Sequence, residues 1–127
     1  MLNRAPRLLT VLLPLLLAGC ISSTISNLSP KQTRRTADGL YPLEVRWDSN
    51  ERALDQGSLT PYVVVDARFF AMQRTPLTTN RWETLVPVPA GQRFLNYHFK
   101  FDYRRHGFGK QLPDSRLSPN YQLEIAD

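Results

Sequence analysis

The sequence is poor in the residues that catalysis and covalent stapling most often use. It holds one cysteine, Cys20, and two histidines, His98 and His106, in 127 residues. A single cysteine excludes an internal disulfide framework. Two histidines eight positions apart would need Asp or Glu to complete a zinc site, and the pattern around them reads as surface. No glycine-rich phosphate loop is present, and no serine sits in a nucleophile elbow. Internal repeats and extended low-complexity runs are also missing. The apolar stretch from Leu8 to Leu17 covers only about half of a bilayer core, and Pro14 interrupts it. These absences exclude a large multidomain enzyme and point away from an enzyme of any kind, with no cofactor and no metal expected. Disorder is not expected either, because 42% hydrophobic and 10% aromatic residues are enough to build a core.

What is present begins with a leader. Residues 1–19 carry Arg4 and Arg7 but no acid, then the leucine-dense stretch, then Ala18 and Gly19. This is the layout of a secretory signal peptide, and a transmembrane anchor is the weaker alternative. Its end, Leu17-Ala18-Gly19-Cys20, resembles the bacterial lipobox: an aliphatic residue, two small residues, then cysteine. The resemblance implies removal of residues 1–19, a diacylglycerol thioether on Cys20 and acylation of the new amino terminus. A thiol suits alkylation, and small neighbours let an extended backbone enter a peptidase groove. Two or three acyl chains, at about 0.8 kcal/mol per buried CH₂, anchor a protein stably. Lipoproteins kept at the inner membrane often carry Asp after the cysteine, whereas Ile21 and Ser22 follow here. The resemblance therefore places the chain at the outer membrane, facing the periplasm or the cell surface.

Cleavage would leave 108 residues, and loss of two arginines would lower the formal charge from +5 to +3. Residues 20–38 are polar and show no period of 2 or 3.6. They read as the acylated cysteine and a flexible, solvated tether. Lys31, Arg34 and Arg35 lie there against Asp38, so the remaining residues 39–127 are nearly neutral. A nucleic-acid partner is not expected from so modest a charge.

Residues 39–127 read as strands. Tyr41, Leu43, Val45 and Trp47 alternate with polar residues and define one face. Asn50 to Gly57 reads as a loop or a short helical turn. Leu59 to Asp66 is rich in β-formers. Arg68 to Gln73 is its hairpin partner or, since the reversal lacks glycine, part of one continuous or bulged strand. Trp82, Thr84, Val86 and Val88 share a face, with Pro87 and Pro89 marking a sheet edge or a strand end. The clearest signal runs from Phe94 to Tyr103, where Tyr97, Phe99, Phe101 and Tyr103 alternate with His98, Lys100, Asp102 and Arg104. Residues 106–119 read as loop, and Tyr121 to Ile125 as a last strand. The expected fold is all-β: a small antiparallel Ig-like β-sandwich of about 6–7 strands, with a small barrel as the alternative.

The order of features from Tyr62 to Tyr103 resembles the starch- and glycogen-binding modules of the early-set sandwich type. It rests on Val63-Val64-Val65, Pro76-Leu77-Thr78, Arg81-Trp82-Glu83, Pro89-Ala90-Gly91 and Tyr97-His98-Phe99-Lys100-Phe101-Asp102. That resemblance implies sugar binding by exposed aromatics and nominates Trp82 and Lys100. The family's Gly-Asp-Phe-Asn-x-Trp turn is replaced by Asp66-Ala67-Arg68-Phe69-Phe70, and its Asp-Gly ending by Asp102-Tyr103-Arg104. The pattern itself adds a polar patch of His98, Lys100 and Asp102 on the outer strand face. The expected partners are thus a membrane through the lipid, an envelope protein, and alternatively a polysaccharide.

Overall fold

The computed structural model describes residues 22–127. The leader and the lipobox residues Leu17, Ala18, Gly19 and Cys20 lie outside the described residues. Ten strands follow one another: β1 (Ser23–Asn27), β2 (Gln32–Arg34), β3 (Leu40–Ser49), β4 (Thr60–Val65), β5 (Arg68–Ala71), β6 (Gln73–Arg74), β7 (Arg81–Pro87), β8 (Phe94–Gly107), β9 (Lys110–Leu117) and β10 (Tyr121–Ala126). One 3₁₀ turn, Gln56–Ser58, lies between β3 and β4. Among the described residues there is no α-helix.

The strands form two sheets. One has the order β1-β3-β7-β6, and the other β2-β10-β8-β4-β5 with β9 also on β8. All pairings are antiparallel except β2 with β10, which is parallel. This is the immunoglobulin arrangement, an ABED sheet against a GFC-type sheet, with the first strand split between the two. The fold class expected from the alternation is therefore the one observed.

The core is made where the inner faces meet. Tyr41, Leu43, Val45, Trp47, Trp82 and Val86 come from the first sheet; Val63, Leu95, Tyr97, Phe99, Phe101, Leu123 and Ile125 come from the second. Trp47 packs on Phe101 with ring centroids 4.8 Å apart, and Trp82 meets the same ring edge-on at 5.6 Å. Each buried side chain of this size contributes roughly 1.5–3 kcal/mol, which makes the aromatic interior the main source of stability in a small domain.

Two expectations need correction. The segment 20–38 is not simply a tether, since the sandwich begins at Ser23. β1 pairs with β3 from Ser23↔Ser49 to Asn27↔Val45, and β2 pairs with β10. Both are edge strands of mostly polar residues, with Ile25 the one large apolar side chain between them, so no apolar–polar alternation marks them. The stretch 106–119 is not a loop: β9 runs through it, paired with β8 from Lys100↔Leu117 to Gly107↔Lys110. Every residue of β9 is exposed, which removes the apolar signal by which strands are recognised. Pro87 is the last residue of β7, the strand end that was one of its two expected places; it pairs with Leu40 on β3, and β6 reaches only Trp82 and Glu83. The reversal between β4 and β5 is a hairpin, with Asp66 taking φ 52° where glycine would be usual; Asp tolerates that region better than most residues.

Candidate functional site

The outer face of β8 brings three nominated residues together. His98, Lys100 and Asp102 alternate with buried Tyr97, Phe99, Phe101 and Tyr103, so all three point away from the core. They pair across to Val64, Tyr62 and Thr60 of β4. Lys100 Nζ lies 3.3 Å from Asp102 Oδ1 and 5.5 Å from the centre of the Phe69 ring. Phe69, on β5, is 59% exposed and tilts against Tyr62 at 6.0 Å. The result is a mixed patch with one cation, one carboxylate and an exposed ring. A shallow cleft of about 360 Å³ lies at its His98 end, between Asp66, Asn96 and Asn120. A second, of about 470 Å³, lies at its Asp102 end, between Ser58, Arg104 and Ser115.

Trp82 is not part of this patch. It is 3% exposed and faces the core from the other sheet, with the Arg74 guanidinium 5.3 Å over its ring. A pyranose cannot stack on a ring that is already covered, so the platform nominated by the sugar-binding resemblance is a structural residue. Its register with Val86 carried that information in the sequence. Among the described residues no cluster of three His, Cys, Asp or Glu side chains is placed to hold a metal.

The first described residues, the β3–β4 loop, the β6–β7 loop and the β8–β9 hairpin all gather at one end of the sandwich. Ser23 pairs with Ser49 at the end of β3, and the Ser22 amide donates to Asn50 Oδ1 at 2.7 Å. Asn80, from the β6–β7 loop, donates to Asp48 at 3.2 Å. The β3–β4 loop clasps the hairpin base: the Asp55 amide donates to the Arg104 carbonyl at 2.9 Å, and the His106 amide to the Ala53 carbonyl at 2.7 Å. Arg105 forms an ion pair with Glu51 and a second with Asp114 at 3.2 Å. Its pKa is raised, first by the Glu51 charge. Beyond this clasp the hairpin stands alone.

Two residues at this end were not singled out as a site by the sequence pattern. Phe108, at the hairpin tip, has φ 48° and is fully exposed; Leu77, in the β6–β7 loop, has φ 64° and is equally exposed. The local signal for the first was present as Gly107-Phe108-Gly109, a large apolar residue flanked by turn formers.

No family model matches this chain, and no curated protein matches it. Solved structures that align with this chain include the following two. A DUF4785 family protein from Legionella pneumophila aligns with a TM-score of 0.46 and 10% identity over 84% of this chain. The alignment spans 29% of that protein's length. Murine CRIg aligns with a TM-score of 0.47 and 10% identity, over 84% of this chain and 99% of its own.

Proposed function

We propose that this chain is a lipid-anchored protein of a bacterial envelope that acts without catalysis, by presenting an Ig-like sandwich to another envelope protein. The observation that carries the reading is a spacing. The lipobox cysteine stands three residues before the first strand, so an acyl group on Cys20 would hold the sandwich itself close to the membrane. Ile21 after the cysteine favours the outer membrane. The partner surface is the outer face of β4, β5 and β8, where exposed Phe69 lies beside Lys100 and Asp102. An aromatic anchor ringed by charge is the usual make-up of a protein-binding patch.

Intact mass of the protein from a lipoprotein-processing host tests the anchor: diacylglycerol and acyl mass on Cys20 is expected, and a bare thiol would sink it. Crosslinking from a photoreactive residue at position 69, against a control at position 90, tests the surface. A discrete envelope-protein adduct from position 69 alone is expected. Retention on insoluble glucan or peptidoglycan without a protein adduct would favour the polysaccharide alternative instead.

A further inference from the structure

The two residues that break the local rules of their turns stand at the end where the described chain begins. A two-residue hairpin turn with positive φ at both central positions takes Asn or Gly by default. Here the first position is Phe108, followed by Gly109 at φ 75°. Leu77 adopts the same left-handed region, which L-residues with bulky side chains avoid. Both side chains are fully exposed, so no burial within the fold offsets their strain. Local violations of this kind concentrate where something outside the fold uses them.

The geometry of anchoring supplies that outside surface, and this step rests on the acylation of Cys20 proposed above. From Cys20 to Ser23 the chain spans at most about 10 Å. Asp102 is the last residue of β8 paired with β4, and β8 runs five residues further, to Gly107; at the rise of a strand this is about 16 Å. Arg116, the cross-strand partner of Phe101, donates to the Ser23 carbonyl at 2.6 Å. The start of the described chain is thereby held within reach of one arginine side chain at the hairpin base. A lead segment shorter than the hairpin does not keep the tip clear of the bilayer. From Phe101 to Arg116 the hairpin carries Arg104, Arg105, Lys110 and Arg116 against Asp102 and Asp114, and its tip, from Arg104 to Lys110, holds cations and no acid, a balance suited to anionic headgroups.

We propose that this loop end is a lipid-contacting surface. Phe108 and Leu77 enter the headgroup layer of the leaflet that holds Cys20, and Lys110 and Arg104 face its phosphates. An apolar tip beside cations is the make-up of an interfacial anchor. Contact at two loops as well as at the acyl group fixes the tilt of the sandwich and leaves the outer face of β4, β5 and β8 open to a partner.

The test uses acylated full-length protein in vesicles of phosphatidylethanolamine and phosphatidylglycerol. Once Cys20 is acylated, an introduced cysteine is the sole thiol. An environment-sensitive dye is attached at Gln111→Cys beside the tip, or at Ala90→Cys on the opposite end. Quenching by headgroup-proximal spin-labelled lipid is expected to be several-fold stronger at position 111 than at position 90. It should fall towards the position-90 value when Phe108→Ser and Leu77→Ser are added; circular dichroism confirms that this variant is folded. Equal, weak quenching at both positions while the protein floats with the vesicles overturns the contact and leaves the anchor standing. A protein that does not float, with unmodified Cys20, overturns the anchor and removes the premise of the contact.

Discussion

The Arg116 guanidinium donates to the main-chain carbonyl of Ser23 at 2.6 Å. This bond joins the start of the first strand to the ninth, and so ties the edge of one sheet to the hairpin of the other. Otherwise β1 pairs only with β3, and at its far end Asn27 donates to the Tyr97 hydroxyl at 2.9 Å. Arg116→Ala should therefore loosen β1 selectively. A loss of about 1 kcal/mol is expected for one such bond, with faster amide exchange between Ser23 and Asn27. Unchanged exchange there would show that the β3 pairing suffices.

The Arg105 cluster gives a ranking. Its two acids differ in setting: the Glu51 side chain is 8% exposed, and that of Asp114 40% exposed. Removing Arg105 strands a carboxylate that water barely reaches, whereas removing Asp114 leaves Arg105 with Glu51. Arg105→Gln is expected to lower the urea midpoint more than Asp114→Asn. The reverse order would mean that Glu51 is solvated in solution.

Trp82 and Lys100, nominated together by one resemblance, should separate on substitution. Trp82→Ala opens a cavity beside Phe101 and is expected to destabilise by about 3–5 kcal/mol. Lys100→Ala removes a partly exposed cation and should change stability by less than about 0.5 kcal/mol. Chemical denaturation of the two variants decides this, and equal losses would contradict the burial of Trp82.

What the sequence disclosed follows from how each strand is solvated. Tyr41 to Trp47 and Tyr97 to Tyr103 were legible because one face meets core and the other water, which writes a period of two into the residue types. The same alternation placed His98, Lys100 and Asp102 on one surface. β1, β2 and β9 were illegible for the complementary reason. Their hydrogen bonds are supplied by neighbours, and their side chains gain little by being apolar. Leu77 stayed hidden because backbone conformation, and not composition, makes it unusual, whereas Phe108 left a trace in its two flanking glycines.

The pH dependence of stability has two limbs. Asp127 is held below the usual carboxylate range, chiefly by its hydrogen bond from Arg35, and Asp38 chiefly by the Leu40 amide. For these the unfolded chain takes up protons first as pH falls. Their stabilisation is complete above about pH 4 and is lost below it. Burial pushes the Tyr103 and Tyr121 hydroxyls up. For these the unfolded chain ionises first, so stability is retained below about pH 10 and declines above it. A plateau between these limits is expected in urea titrations. Arg35→Gln should remove the Asp127 part of the acid limb, keep the Asp38 part and leave the alkaline limb unchanged, and added salt should mimic it, because the pair is exposed.

The hairpin tip yields the last prediction, which needs no membrane. In the left-handed region a bulky side chain is disfavoured by about 1–2 kcal/mol, and Asn is among the few residues that visit it routinely. Phe108 gains no burial to offset this, being fully exposed. Phe108→Asn should therefore stabilise the hairpin in water. The effect belongs to a part of the molecule that opens locally, since β9 is exposed along its whole length. It is expected as slower amide exchange from Arg105 to Leu112, with little change in the global urea midpoint. Faster exchange would mean that the phenyl ring makes a stabilising contact with the protein in solution, and the strain at the tip would then have an internal explanation.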